Sequence, residues 1–141
     1  MLKSILSENS IQVVDYVDTW KDAVNIASKP LLESKIITEE YVTNMIKSVN
    51  DNGPYMVLAD YFALMHARPG QGVMRNGMSL LVTKNEVDLI GKPIKIFLIM
   101  AATDNTSHLK SLQRVMDVFM DKNAYQTILN GDRKEIIELF K

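Results

Sequence analysis

The chain has 141 residues, with 16 Lys and Arg against 17 Asp and Glu and a formal net charge of −1 at pH 7. That balance supplies no basic surface for nucleic acid or an anionic membrane, and the absence of cysteine excludes a disulfide framework and a thiolate metal site. The length suits a single domain, 1–141, with a sizeable core; no apolar run approaches a signal peptide or a membrane span, so a soluble cytoplasmic domain without membrane insertion is expected.

Along the chain, Leu2, Ile5 and Leu6 predict a short opening turn of helix, and residues 11–14 a first strand. Trp20, Ala23, Val24, Ala27 and Leu31 recur at helical spacing, with Lys21, Asp22, Asn25 and Lys29 on the outer face. Pro30 should bend or tighten that helix near its end. Thr38 is the expected N-cap of a second helix, with Glu39 and Glu40 in the first turn, where the helix dipole favours acids. This helix should bury Tyr41 or Val42, Met45, Ile46 and Val49, and stop at Asn52-Gly53-Pro54. Residues 55–59 and 62–65 read as short apolar strands. Residues 78–82 and 94–102 read as two more, the latter so continuously apolar that it belongs in a sheet covered on both faces. Leu109, Leu112, Met116, Phe119 and Met120 form a third helical stripe, and residues 123–130 and 132–140 predict short closing helices separated by Gly131. The alternation of helix and strand predicts an α/β layered domain.

Within this pattern, GPYMVLADYFALMHARPGQG, residues 53–72, places His66 where a rigid strand breaks into a turn. An imidazole there, with Arg68 two residues on, suits a nucleophile that is held firmly yet stays reachable. Near neutral pH an unperturbed imidazole is largely neutral, so a ring nitrogen keeps a lone pair for attack. The second histidine, His108, follows a strand end and Asn105-Thr106-Ser107, which puts it in the first turn of the next helix. Free amides and the dipole would favour an anion there. Two histidines without clustered carboxylates are too few for a zinc site, and neither G-x-x-x-x-G-K-[ST] nor G-x-S-x-G occurs. No metal and no cofactor are expected.

The 53–72 segment resembles the phosphorylation-site segment of the mannitol/fructose-type EIIA family of the sugar phosphotransferase system (PTS). Within that family it is most similar to the L-ascorbate-type branch, whose segment runs roughly GPYxVxAPxxAxPHARPExG. The likeness extends upstream through Trp20, Ala23, Ala27, Pro30, Leu31 and Leu32, and downstream through Pro93-Ile94-Lys95 to Asp104-Asn105-Thr106-Ser107-His108-Leu109. The resemblance implies a mixed central β-sheet flanked by helices, and a phosphocarrier that accepts a phosphoryl group from phospho-HPr on His66 Nε2. His66 would pass the group to a cognate EIIB during uptake of a carbohydrate, L-ascorbate by branch, through EIIC. His108 would stabilise the phosphoryl oxygens and Arg68 would contact the phosphoryl group or a partner. A docking surface around His66, centred on Phe62, Met65 and Met74, is expected. The chain departs from the family at Met65, where Pro is usual, at Asp60-Tyr61, where Pro-Gly is common, and at Ser48, where the mannitol-type branch has an arginine. The competing readings are a regulatory module that reports phosphorylation state to a protein target, and a binding domain with impaired transfer.

Overall fold

The structure, a computed structural model, describes residues 6–141. Leu2 and Ile5 of the predicted opening turn lie outside these residues; Leu6 is buried, and a 3-10 turn at Glu8–Ser10 leads into β1, Ile11–Val14. The first helix, α1, spans Trp20–Glu33 and buries the predicted face together with Ser28, while the hydroxyl of Thr19 caps it by accepting from the Asp22 amide at 3.1 Å. Pro30 sits inside the helix near its end, as its position in the sequence suggested.

Helix α2, Glu39–Asn52, buries Tyr41, Val42, Met45 and Val49, and stops where Gly53 takes φ 80°. Thr38 stands at its N-cap but its side chain does not cap the helix. Its amide and hydroxyl both donate to the carbonyl of Gly72, at 2.9 and 3.4 Å. The expected cap is thus diverted to tie down the segment after His66.

Four further strands complete the sheet: β2 Val57–Ala59, β3 Tyr61–Met65, β4 Gly77–Leu89 and β5 Lys92–Ala101. Tyr55 and Met56, read from the sequence as strand, instead form a turn closed by the Val57 amide on the Pro54 carbonyl at 3.2 Å. Strand β4 runs past the predicted end at Val82, because the polar Lys84, Asn85 and Glu86 interrupt its apolar run without ending its pairing with β5. The order is β1-β4-β5-β3-β2, with β1 parallel to β4 and β3 parallel to β5, the other pairs being antiparallel. The sheet is mixed and carries helices on both faces, as the resemblance implied.

One face packs against α1 and α2 through Leu81, Phe97, Ile99 and Ala101; the other packs Leu80, Val82, Ile96 and Leu98 against the C-terminal helices. Strand β5 is therefore covered on both sides, as its apolar run predicted. Those helices are α3 Leu109–Met120, α4 Lys122–Asn130 and α5 Arg133–Leu139. On α3 the buried residues are Val115 and Phe119, with Leu112 and Met116 half-buried, whereas Leu109 and Met120 of the predicted stripe are 51% and 78% exposed. The helix meets the sheet along a narrower stripe than its apolar residues mark out, anchored where Phe119 stacks on Phe62 with ring centroids 4.4 Å apart. Asp132 and Glu135 form a capping box that starts α5 just after Gly131.

The topology decides where function can sit. Because β3 and β5 are parallel and β4 is antiparallel to β5, with Met65 level with Ile99 and Gly77 level with Ala101, three loops leave the sheet at one end. They are the segment after β3, the segment after β5, and the approach to β4. Loops at the carboxyl ends of parallel strands are a favoured place for sites.

Candidate functional site

His66 is the first residue beyond β3, and its ring is half-buried. Its Nδ1 lies 2.9 Å from the carbonyl oxygen of Leu64. A carbonyl can only accept, so Nδ1 must carry the proton and donate, which leaves the lone pair on Nε2. The ring of Tyr55 meets the imidazole edge-on, with centroids 6.1 Å apart and planes at 82°. Tyr55 is in turn held by Ser48 of α2, whose Oγ is 2.7 Å from the phenolic oxygen. The missing Pro before His66 does not break the strand: Met65 is buried and paired with Ile99.

The backbone after His66 is fastened from two directions. The hydroxyl of Tyr41, on α2, accepts from the Ala67 amide at 3.1 Å and donates to the Met100 carbonyl of β5. The Gly70 amide donates to the Ala102 carbonyl at 2.9 Å. Burial pushes the Tyr41 phenol up to about 12, with the Ala67 amide pulling the other way. Gly70 and Gly72 take φ 89° and 75°, and at Gly72 an added Cβ would lie 2.8 Å from the Tyr41 amide nitrogen. Only glycine allows the loop to pass this close to α2.

His108 stands at the N-cap of α3, at the same end of the sheet as His66. Its ring is half-buried, and among the described residues its buried Nδ1 has no hydrogen-bond partner. It lines a small cavity of about 140 Å³ together with Asn76, Met78, Met100, Ser111 and Leu112. The free helix-start amides expected beside it are in part already taken. The carboxylate of Asp104 accepts from the amides of Thr106 and Ser107 at 2.9 and 2.7 Å. These two bonds, that from Ser107 the stronger, hold the Asp104 carboxyl below its ordinary range, with a smaller contribution from the charge of His108. An anion near His108 must therefore be met by side chains more than by these amides.

Asn76 closes the third side. Its amide donates to Ser107 Oγ at 2.8 Å while its carbonyl accepts from the Thr103 amide at 2.8 Å, joining the approach to β4 to the loop after β5. Arg68 is exposed and, among the described residues, makes no hydrogen bond or ion pair, so its guanidinium is available to an incoming group. The expected docking centre needs correction: Phe62 and Met65 are 1% and 0% exposed and belong to the two cores, because both lie inside β3. Of the three only Met74, 64% exposed, is at the surface, where Tyr55 and Leu109 also stand exposed on segments flanking the two histidines. Tyr41, Asn76 and the Ser48–Tyr55 pair were not among the site residues legible in the sequence. A buried tyrosine does advertise a need for a hydroxyl partner, but it does not say which.

The arrangement offers an imidazole whose Nδ1 is committed to the Leu64 carbonyl, a second imidazole at the same end of the sheet, and a guanidinium unpaired among the described residues. Such a set can capture an electrophilic, anionic group on nitrogen. A family described as "Phosphoenolpyruvate-dependent sugar phosphotransferase system, EIIA 2" matches residues 4–141. The chain is 29% identical over 136 residues to the mannitol-specific cryptic phosphotransferase enzyme IIA component of Escherichia coli (strain K12), covering 95% of this chain and 92% of that one. It is 30% identical over 132 residues to the ascorbate-specific PTS system EIIA component of Shigella boydii serotype 4 (strain Sb227), covering 90% and 86%. The solution structure of the E. coli mannitol-specific cryptic IIA superposes with a TM-score of 0.89 over 96% of this chain and 95% of that one, at 29% identity.

Proposed function

The chain belongs to the EIIA 2 family of the phosphoenolpyruvate-dependent sugar phosphotransferase system and is a phosphocarrier of that system; from that premise we propose that His66 is the residue that carries the phosphoryl group, on Nε2. The observation that supports this above all is the Nδ1–H bond to the Leu64 carbonyl, which leaves Nε2 as the nitrogen with a lone pair. As the donor's P–N bond breaks, its electron pair returns to the donor's ring nitrogen and the Nε2 lone pair forms the new N–P bond. The proton on Nδ1 stays where it is. The positive charge that develops on the His66 ring is met by the dipole of the Leu64 carbonyl.

Little acid-base work is required of the protein, so its contribution is placement and charge stabilisation. His108 and Arg68 are the groups we assign to the phosphoryl oxygens. His108 acts as a hydrogen-bond donor from the start of α3, and Arg68 is an exposed cation, or a partner contact, at the rim. The donor is phospho-HPr and the acceptor a cognate EIIB, which feeds the sugar transported through EIIC in the cytoplasmic membrane; the carrier itself works in the cytoplasm. Both partners dock over Tyr55, Met74 and Leu109, which are exposed and apolar. L-Ascorbate is the sugar we assign, on the GPYMV and HARP runs around the site and the Shigella relative.

The test is incubation with phosphoenolpyruvate, enzyme I and HPr, followed by intact-mass and peptide analysis. An acid-labile phosphoryl group on the peptide holding His66, lost in His66→Ala, is expected; a wild-type chain that stays unmodified beside a competent control EIIA contradicts the proposal. Addition of EIIB and EIIC with labelled ascorbate or mannitol then separates the two sugars.

A further inference from the structure

His66 is held from two sides by one helix. Tyr41 and Ser48 stand two turns apart on α2, and seven residues brings both to the same face. Tyr41 fastens the backbone that follows His66 through the Ala67 amide. Ser48 reaches the imidazole itself, through the phenolic oxygen of Tyr55 at 2.7 Å and the Tyr55 ring edge against His66. The two phenols lie close enough for Tyr55 to contribute to the raised pKa of Tyr41.

Tyr55 is 49% exposed, so burial does not account for its placement. It sits in a turn rather than a strand, and among the described residues its hydroxyl has Ser48 as its hydrogen-bond partner. The Leu64 carbonyl fixes one edge of the imidazole but leaves the ring free to tilt about that bond. An aromatic edge at about a right angle is what resists such a tilt.

We propose that Tyr55 is a positioning residue for His66, and that Ser48 braces Tyr55 so that Nε2 is aimed for in-line attack. This rests on the reading of His66 as phosphoryl acceptor. Tyr55 acts through the imidazole and transfers nothing itself. Its ring supplies the restraint, and its hydroxyl serves to lock that ring to α2.

Three variants separate these parts. Tyr55→Leu removes the ring edge and should lower the rate of His66 phosphorylation at saturating phospho-HPr about 10-fold or more, whereas lost docking alone would raise only the half-saturating donor concentration. Tyr55→Phe and Ser48→Ala each remove the brace but keep the ring, and should lower the rate by about 3-fold each, with the double variant no slower than either alone. Side-chain 15N relaxation and ring NOEs of His66 give a readout independent of transfer. Both proteins should keep the proton on Nδ1, held by the Leu64 carbonyl, but the His66 ring should hold one orientation in the wild type and sample several in Tyr55→Leu, while the thermal midpoints of the two stay close.

Wild-type rates and wild-type His66 spectra in a folded Tyr55→Leu would overturn the proposal, as would additive losses in the double variant. If the wild-type chain takes no phosphoryl group at all, the acceptor reading fails. The comparison of His66 ring motion then still decides whether Tyr55 positions the ring.

Discussion

The hydroxyl of Tyr41 joins the Ala67 amide, 3.1 Å away, to the Met100 carbonyl, so a single side chain ties the loop that follows His66 to the end of β5, the strand that leads to His108. Tyr41→Phe keeps the packing of a residue 1% exposed but leaves a donor and an acceptor without their partner. A loss of about 1–3 kcal/mol in stability is expected, read as a lower urea midpoint with unchanged slope. Slower phosphorylation of His66 should accompany it.

The same hydroxyl gives the fold an alkaline limit. The Tyr41 phenol is raised from 10.0 to about 12 in the folded chain, chiefly by burial, so the unfolded chain loses this proton first. The stabilisation from keeping it neutral is fully present below pH 10 and is lost as pH rises toward about 12. Denaturant titrations between these limits should show a falling midpoint in the wild type and a shallower fall in Tyr41→Phe. Tyr125, also raised to about 12 by burial, contributes in the same direction and remains in both.

Asp104 sets the opposite limit for the loop after β5. Its folded pKa lies below 3.8 because the Ser107 and Thr106 amides favour the carboxylate. Its contribution is therefore complete above pH 3.8 and disappears as pH falls through the lower folded value. Asp104→Asn keeps an acceptor for the amides without the titration. Protection of the Thr106 and Ser107 amides, taken relative to the intrinsic exchange rate at each pH, should fall in acid in the wild type and stay level in Asp104→Asn. Parallel behaviour of the two proteins would remove Asp104 from the account of this turn.

Gly72→Ala tests how tightly the His66 loop lies against α2. A Cβ 2.8 Å from the Tyr41 amide nitrogen, at φ 75°, adds a clash to an unfavourable conformation. A destabilisation of about 1–3 kcal/mol is expected, together with loss of the Thr38–Gly72 contacts as read by faster amide exchange at Thr38. Gly53→Ala, where φ is also positive but nothing lies within 4 Å of the added carbon, should cost less.

The sequence marks the strand ends and the two histidines because apolar periodicity stops where the chain leaves the sheet. What it hides are bonds between residues far apart. Tyr41 looks like one more residue of a helix's apolar face, and Asn76 like a loop asparagine, yet each joins segments tens of residues away. Thr38 carries a helix-cap signature and serves the His66 loop instead. Asp60-Tyr61 looks hostile to the turn it occupies, since Tyr61 must adopt φ 69°. Tertiary contacts compensate: the Tyr125 hydroxyl donates to the Asp60 carbonyl, and the Lys95 ammonium lies 5.6 Å from the centre of the Tyr61 ring. The register shift after Tyr61 skips Lys95, which is why Ile94 and Ile96 enter different cores despite their spacing of two.

The most direct measurement is NMR of the 15N-histidine-labelled chain after phosphorylation by phospho-HPr, locating the phosphorus on one of the four imidazole nitrogens. The geometry at Leu64 predicts phosphorus bonded to Nε2 of His66, with a proton retained on Nδ1. Phosphorus on Nδ1 of His66, or on either nitrogen of His108, would contradict the account.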